Sequence, residues 1–182
     1  MDSELVTRAQ RGDEEAFALL AVAVGDRLHA VAHRILRDIS LAEDATQQAL
    51  LAIWRDLPTL RDPARFEAWT YRIVVRACYA EGRRGHAWQP TLRLLPRDEP
   101  AEADSAGSLA DRDQLERGFR RLSVDHRAVI VLHHYLDLSV DQVAEALSVP
   151  SGTVRSRLHF AMRALRAALD ADARPPAVES AR

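Results

Sequence analysis

Residues 139–166, SVDQVAEALSVPSGTVRSRLHFAMRALR, constrain this chain more than any other stretch. Ser139 and Gln142 have capping-box spacing, so a helix starts at Val140. Val143, Ala144 and Leu147 give it an apolar side. Ser148-Val149-Pro150 breaks the period, because proline cannot continue a helix. A second helix begins near Pro150 or Ser151, with Val154, Leu158, Ala161 and Leu165 on one stripe. Its other side carries Gly152, Arg155, Ser156, His159, Arg163 and Arg166, and no acidic residue occurs between Ser151 and Leu169. A short helix, a tight turn and a helix with an apolar back and a cationic front make a helix-turn-helix. The second helix has the diameter of the DNA major groove, and arginine forks pair with guanine or with phosphate oxygens. The competing reading is a helical hairpin with a solvated basic face.

Composition sets the frame. The chain has 182 residues, 47% of them hydrophobic, which is enough for one large folded domain or two small ones. Its formal charge is only −2, so DNA binding requires the basic residues to cluster, as they do after Ser151. Cys78 is the single cysteine, which excludes an intrachain disulfide or a cysteine-rich zinc site and fits a reducing cytosol. The charged N-terminus, MDSELVTRAQRGDEE, is no signal peptide, and no apolar run is read as membrane-spanning, so a soluble cytoplasmic protein without membrane insertion is expected.

Nearly every other segment has helical period, and no strand alternation is convincing. A first helix covers residues 3–10. Asp13 caps a long second helix through Phe17, Leu20, Val24, Leu28, Val31 and Ile35. After a break at Arg37-Asp38-Ile39, Ser40 and Glu43 form a capping box for a third helix that ends at Leu57 before Pro58. A fourth helix runs over residues 64–81, with Phe66, Trp69, Ile73, Ala77 and Ala80 as its core stripe and Gly82 and Gly85 as its end. From His86 to Ser108 prolines, alanines and acids replace the helical period. Beyond it, Leu115, Phe119 and Leu122 share a helix, and Ser123 caps another. The fold class is therefore all-α: two small helical domains joined by a flexible acidic linker, the second containing the helix-turn-helix. The expected boundaries are 1–88, a linker at 89–110, 111–170, and a disordered tail at 171–182.

Two further faces are candidates for binding. The third helix groups Asp44, Gln47, Gln48, Leu51 and Arg55 opposite its core positions, with Trp54 at the margin. Leu51 among polar neighbours suits a protein partner, or is a stray leucine on a solvated face. The fourth helix turns Tyr71, Arg72, Val75 and Tyr79 away from its expected core, with Arg76 on the flank and Arg83-Arg84 beyond. Interleaved aromatic and cationic residues stack bases and track phosphates, although Tyr71 can equally pack on a neighbour. No catalytic residue, metal site or cofactor is read: the adjacent His133 and His134 point different ways on a helix, and Cys78 reads as a packing residue.

With these residues in view, the sequence resembles the extracytoplasmic-function (ECF) sigma factors, small promoter-recognition subunits of bacterial RNA polymerase. The resemblance rests on AQRGDEEAF, AEDATQQALLAIWR and FEAWTYRIVVRAC in the first half, and on LSVDHRAVIVLHHYLDLS and VAEALSVPSGTVRSRLHFAMRALRAAL in the second, in that order. It implies a protein that does no catalysis itself and docks on the clamp helices of the largest polymerase subunit through Asp44, Gln47, Gln48, Leu51 and Arg55. It implies that the loop at residues 59–63, with Arg61, and the fourth helix, with Arg72, Arg76, Tyr79, Arg83 and Arg84, open and read the minus-ten promoter element. Ser151, Thr153, Arg155, Ser156, Arg157, His159 and Arg163 then read the minus-thirty-five element in duplex form. The resemblance also brings an anti-sigma factor into view as a partner. The chain departs from the family pattern at Gln48 and Arg76, and at Phe160 and Met162, where arginines are usual. Phe160, off the apolar stripe, is expected to be covered by the N-terminal module or a partner protein, or else to meet a thymine methyl. A helix-turn-helix regulator acting without polymerase, and an all-helical adaptor, are the alternatives.

Overall fold

The computed structural model describes residues 3–88 and 106–172. Most of the expected linker and nearly all of the expected tail lie outside the described residues. The helices are α1 (Ser3–Gln10), α2 (Glu14–Leu36), α3 (Ile39–Asp56), α4 (Phe66–Trp88), α5 (Ala106–Arg120), α6 (Val124–Ile130), α7 (Val140–Leu147) and α8 (Ser151–Asp172). No strand occurs among the described residues. Short 3₁₀ turns at Leu57–Thr59 and Pro63–Arg65 join α3 to α4, and a π-helical turn at Val131–Tyr135 follows α6.

Local chemistry explains the boundaries. The Asp13 carboxylate accepts from the Ala16 N–H and opens α2. Arg37, in the left-handed region at φ 59°, closes it and sends its own N–H to the His33 carbonyl. The cap of α3 is Asp38, whose carboxylate accepts from the Leu41 N–H, so the Ser40–Glu43 box read from the sequence is displaced by an acid two residues earlier. Proline still ends α3, since Pro58 sits in the 3₁₀ turn after Asp56. Gly82 and Gly85 do not stop α4, which continues to Trp88. Gly82 instead permits a close approach: a methyl group there would meet the Val124 Cγ2 at 3.2 Å and the Leu36 Cδ2 at 3.7 Å. Helix α5 begins at Ala106, inside the stretch read as linker, and ends before Leu122, which packs in the turn to α6.

The core of the first module is built by α2, α3 and α4, with Leu20, Leu28, Val31, Ile35, Ala45, Ala49, Ile53, Phe66 and Val74 buried. Each such leucine, isoleucine or phenylalanine contributes about 1.5–3 kcal/mol through burial. Helix α2 is long and apolar enough to cross a membrane by length and composition, contrary to the sequence reading. Its apolar stripe is committed to this core, and its outer side carries Asp26 and Arg27. In the second module α6 and α8 pack together around Ala128, Val129, Leu132, Val154 and Ala161. The two modules meet: α7 lies on α4, α6 touches α2 and α4, and the buried cluster is continuous from Val74 to Val143 and Val154.

Candidate nucleic-acid interface

The helix-turn-helix forms as its residues dictate. The Ser139 hydroxyl accepts from the Gln142 N–H at 3.2 Å while the Gln142 carbonyl oxygen accepts from the Ser139 N–H at 2.8 Å, completing the capping box. Ser148, at φ 55°, makes the left-handed turn, and the Val149 N–H returns to the Ala144 carbonyl at 3.0 Å. The Ser151 hydroxyl donates to Asp141 at 2.6 Å and locks the start of α8 against α7. Val154, Ala161 and Leu165 are buried, and Gly152, Arg155, Ser156, His159, Arg163 and Arg166 are exposed, as the periodicity predicts. Thr153 is half-buried near the turn. Arg157 leaves the front: its guanidinium reaches the Asp125 carboxylate at 3.3 Å with a quarter of its side chain exposed. Phe160 is 55% exposed and lies edge-on to His159 at 5.8 Å between centroids, so the described residues of the N-terminal module leave it uncovered.

Helix α4 corrects the sequence reading. Tyr71, Val74, Val75 and Cys78 are buried, so Tyr71 and Val75 belong to the core rather than to an outward nucleic-acid face. Of the expected stripe, Phe66 and Ala77 are buried, while Trp69, Ile73 and Ala80 are half-buried. The physical reason is that α4 has neighbours on two sides, α2 and α3 on one and α7 on the other. The Tyr71 hydroxyl accepts from Arg27, which also pairs with Glu67 at 2.9 Å, and burial pushes the Tyr71 phenol up from its ordinary value. Burial and then Asp125 push the Tyr79 phenol up, and its hydroxyl lies near Asp125 and Arg157 without a hydrogen bond of acceptable geometry. Arg72 is half-buried, and Arg76 and Arg83 are exposed. The Arg76 guanidinium comes within 3.5 Å of the Ser148 hydroxyl on the facing module. Arg84 is exposed along most of its length and pairs at 2.6 Å with Glu81.

Glu81 and Gln10 were not singled out from the sequence, and both position candidate residues. Glu81 is buried and also accepts from the Gln48 amide at 2.5 Å. Gln48 is thereby turned toward α4, at the edge of the α3 face. The rest of that face is open: Asp44, Gln47 and Arg55 are exposed, and Leu51 is 63% exposed. Arg55 pairs with its neighbour Asp56, and Trp54 is held edge-on by Phe17 at 4.5 Å. The Gln10 amide donates to the Leu57 and Leu60 carbonyls at 3.2 and 2.6 Å and so shapes the loop that exposes Arg61. A lone polar residue ending a short helix carries no sequence signal for such a contact. Arg65 joins this loop weakly to Glu145 of α7, at 3.7 Å. No group of three or more histidine, cysteine or acidic residues able to hold a metal is found among the described residues.

Two all-helical modules, the second with a helix-turn-helix whose cationic front is exposed, define a class of DNA-binding proteins. The family model Sigma-70 region 2 matches residues 20–88, and Sigma-70, region 4 matches residues 112–165. The RNA polymerase sigma-H factor of Pseudomonas aeruginosa is 32% identical, covering 92% of this chain and 93% of that protein. The ECF RNA polymerase sigma-E factor of Escherichia coli is 31% identical, covering 90% and 92%. Among solved structures, CnrH in complex with the cytosolic domain of CnrY is 25% identical, with a TM-score of 0.66 over 94% of this chain and 98% of that one. The chain belongs to the ECF sigma factors of the sigma-70 family.

Proposed function

We propose that the chain directs transcription initiation by docking on core RNA polymerase and recognising promoter DNA, with residues 1–88 carrying polymerase docking and minus-ten recognition and residues 111–170 carrying minus-thirty-five recognition. The observation that carries this over a regulator acting without polymerase is the α3 face, where Leu51 stands 63% exposed among Asp44, Gln47 and Arg55. An apolar side chain in a polar rim is the anatomy of a protein interface. The surface supplied to polymerase is Asp44, Gln47, Leu51 and Arg55, with Gln48 at its edge.

Arg61, Arg72, Arg76, Arg83 and Arg84, with Tyr79, serve the minus-ten element, and Arg155, Ser156, His159 and Arg163 read the minus-thirty-five duplex in the major groove. Ser151 and Thr153 sit at the phosphate-facing start of α8. The described arrangement is closed, with Arg157 held by Asp125 and Tyr79 beneath it, so engagement of the full promoter separates α4 from the second module. The chain contributes binding energy and no catalysis, in the cytoplasm. A second protein that grips both modules, an anti-sigma factor, fits as the agent that keeps them closed.

Promoter-dependent run-off transcription with core polymerase tests the reading. Wild type is expected to support run-off product. Leu51→Asp places a charge in a desolvated contact, and the expected loss is about 2–4 kcal/mol of core binding with helicity by circular dichroism unchanged. Equal competition of Leu51→Asp and wild type for core polymerase removes the α3 face from the interface.

A further inference from the structure

Where the two modules meet, a cavity of about 480 Å³ opens between the α2–α3 corner and the α5–α6 turn. Arg37, Leu41 and Gly82 line it from one module, and Arg120, Arg121 and Arg127 from the other. Its volume is that of a small-molecule pocket. Among the described residues Asp38 is the single carboxylate in the wall, and one Asp38 oxygen already caps the Leu41 N–H. Arg37 and Arg120 share one carboxylate outside the wall, that of Glu116.

Arg127 feels that carboxylate only at longer range. It is 8% exposed, its Nε is fully buried without a hydrogen bond, and no ion pair to it occurs among the described residues. Arginine stays protonated in proteins, and buried charges are normally paired. Burial and then the nearby Arg37 disfavour the charge on Arg127, and the Glu116 carboxylate offsets them only in part. An anion in the cavity would supply the missing acceptor, and phosphate oxygens match the guanidinium fork. Leu36, Leu41 and Val124 add apolar wall for whatever carries the phosphate.

We propose that this inter-module cavity binds a small phosphorylated anion, gripped by Arg127 on its floor and by Arg120 and Arg121 at its rim, and that the bound anion holds the two modules closed. A duplex backbone is the poorer candidate, because Arg127 is only 8% exposed. The site therefore opposes promoter binding instead of contributing to it.

The test uses the full chain and inorganic pyrophosphate, with sodium chloride at matched ionic strength as reference. Wild type should show a saturable rise in the thermal midpoint, and its affinity for a promoter duplex should fall as pyrophosphate fills the site. Arg127→Met removes an unpaired buried charge, so its midpoint without pyrophosphate should equal or exceed that of wild type while the rise disappears. The double change Arg120→Gln with Arg121→Gln, on exposed residues, should weaken pyrophosphate by about tenfold or more, which keeps the test decisive should Arg127→Met fold poorly. An absent or unsaturable rise in wild type overturns the proposal, as does an equal rise in the Arg127 or the double variant. Loss of duplex affinity in Arg127→Met with a shallower salt slope, and no response to pyrophosphate, overturns it in favour of a DNA-backbone contact.

Discussion

Helices α4 and α8 both carry arginines, aromatics and an apolar stripe, yet they meet solvent in opposite ways. Helix α8 packs one side on α5, α6 and α7 and leaves Arg155, Ser156, His159 and Arg163 open. Helix α4 is packed on two sides, so Tyr71 and Val75 are core and Tyr79 is half-covered. A helix with one packed side announces its free face through its period. A helix between two layers does not, because the residues opposite its first core stripe serve a second one. The cationic front of α8 is exposed as it stands, whereas part of α4 is covered by the second module.

The sharpest way to break this comparison is Val75→Asp. A carboxylate in place of the buried Val75 is expected to cost about 3–5 kcal/mol of stability in denaturant unfolding, far beyond a surface change. A near-neutral result would return Val75 to an outward face. Arg155→Ala, on the open front of α8, should leave unfolding untouched and cost about 1–3 kcal/mol of affinity for a minus-thirty-five duplex. Fluorescence anisotropy across duplexes substituted one position at a time then separates base reading from phosphate contact. Loss confined to one position means base reading, and uniform loss with a shallower salt slope means phosphate.

Tyr79→Phe should change stability by less than about 1 kcal/mol, because the hydroxyl it removes makes no well-formed hydrogen bond in the closed arrangement. A loss of about 2 kcal/mol or more, the cost of leaving a buried partner unsatisfied, would reveal a bond to Asp125 or Arg157. The smallest effect expected is from Ser148→Gly. Glycine adopts φ 55° without strain but loses more freedom on folding, so the two effects nearly cancel and thermal unfolding should shift by less than about 0.5 kcal/mol, with duplex affinity unchanged.

The all-helical class, the caps at Asp13, Ser123 and Ser139, and the exposed front of α8 were legible because capping and period are local. The start of α3 was misplaced because Asp38 and Ser40 offer equivalent capping oxygens, and only the backbone decides between them. Gly82 reads as a terminator in sequence, yet its role is to let α4 approach Val124 and Leu36 across space. Glu81 accepting from Gln48 and Asp125 holding Arg157 depend on contacts distant in the chain. No periodicity encodes such contacts.

Cys78 is fully buried on α4, and burial pushes its thiol up to about 12. Thiolate is the reactive form, so in the folded chain this sulfur is chemically silent at neutral pH. It becomes reactive only when α4 parts from its neighbours. Being the single cysteine, it makes the chain its own clock. The rate at which a thiol reagent in excess consumes Cys78 counts the spontaneous openings of α4, with no label added and no residue changed.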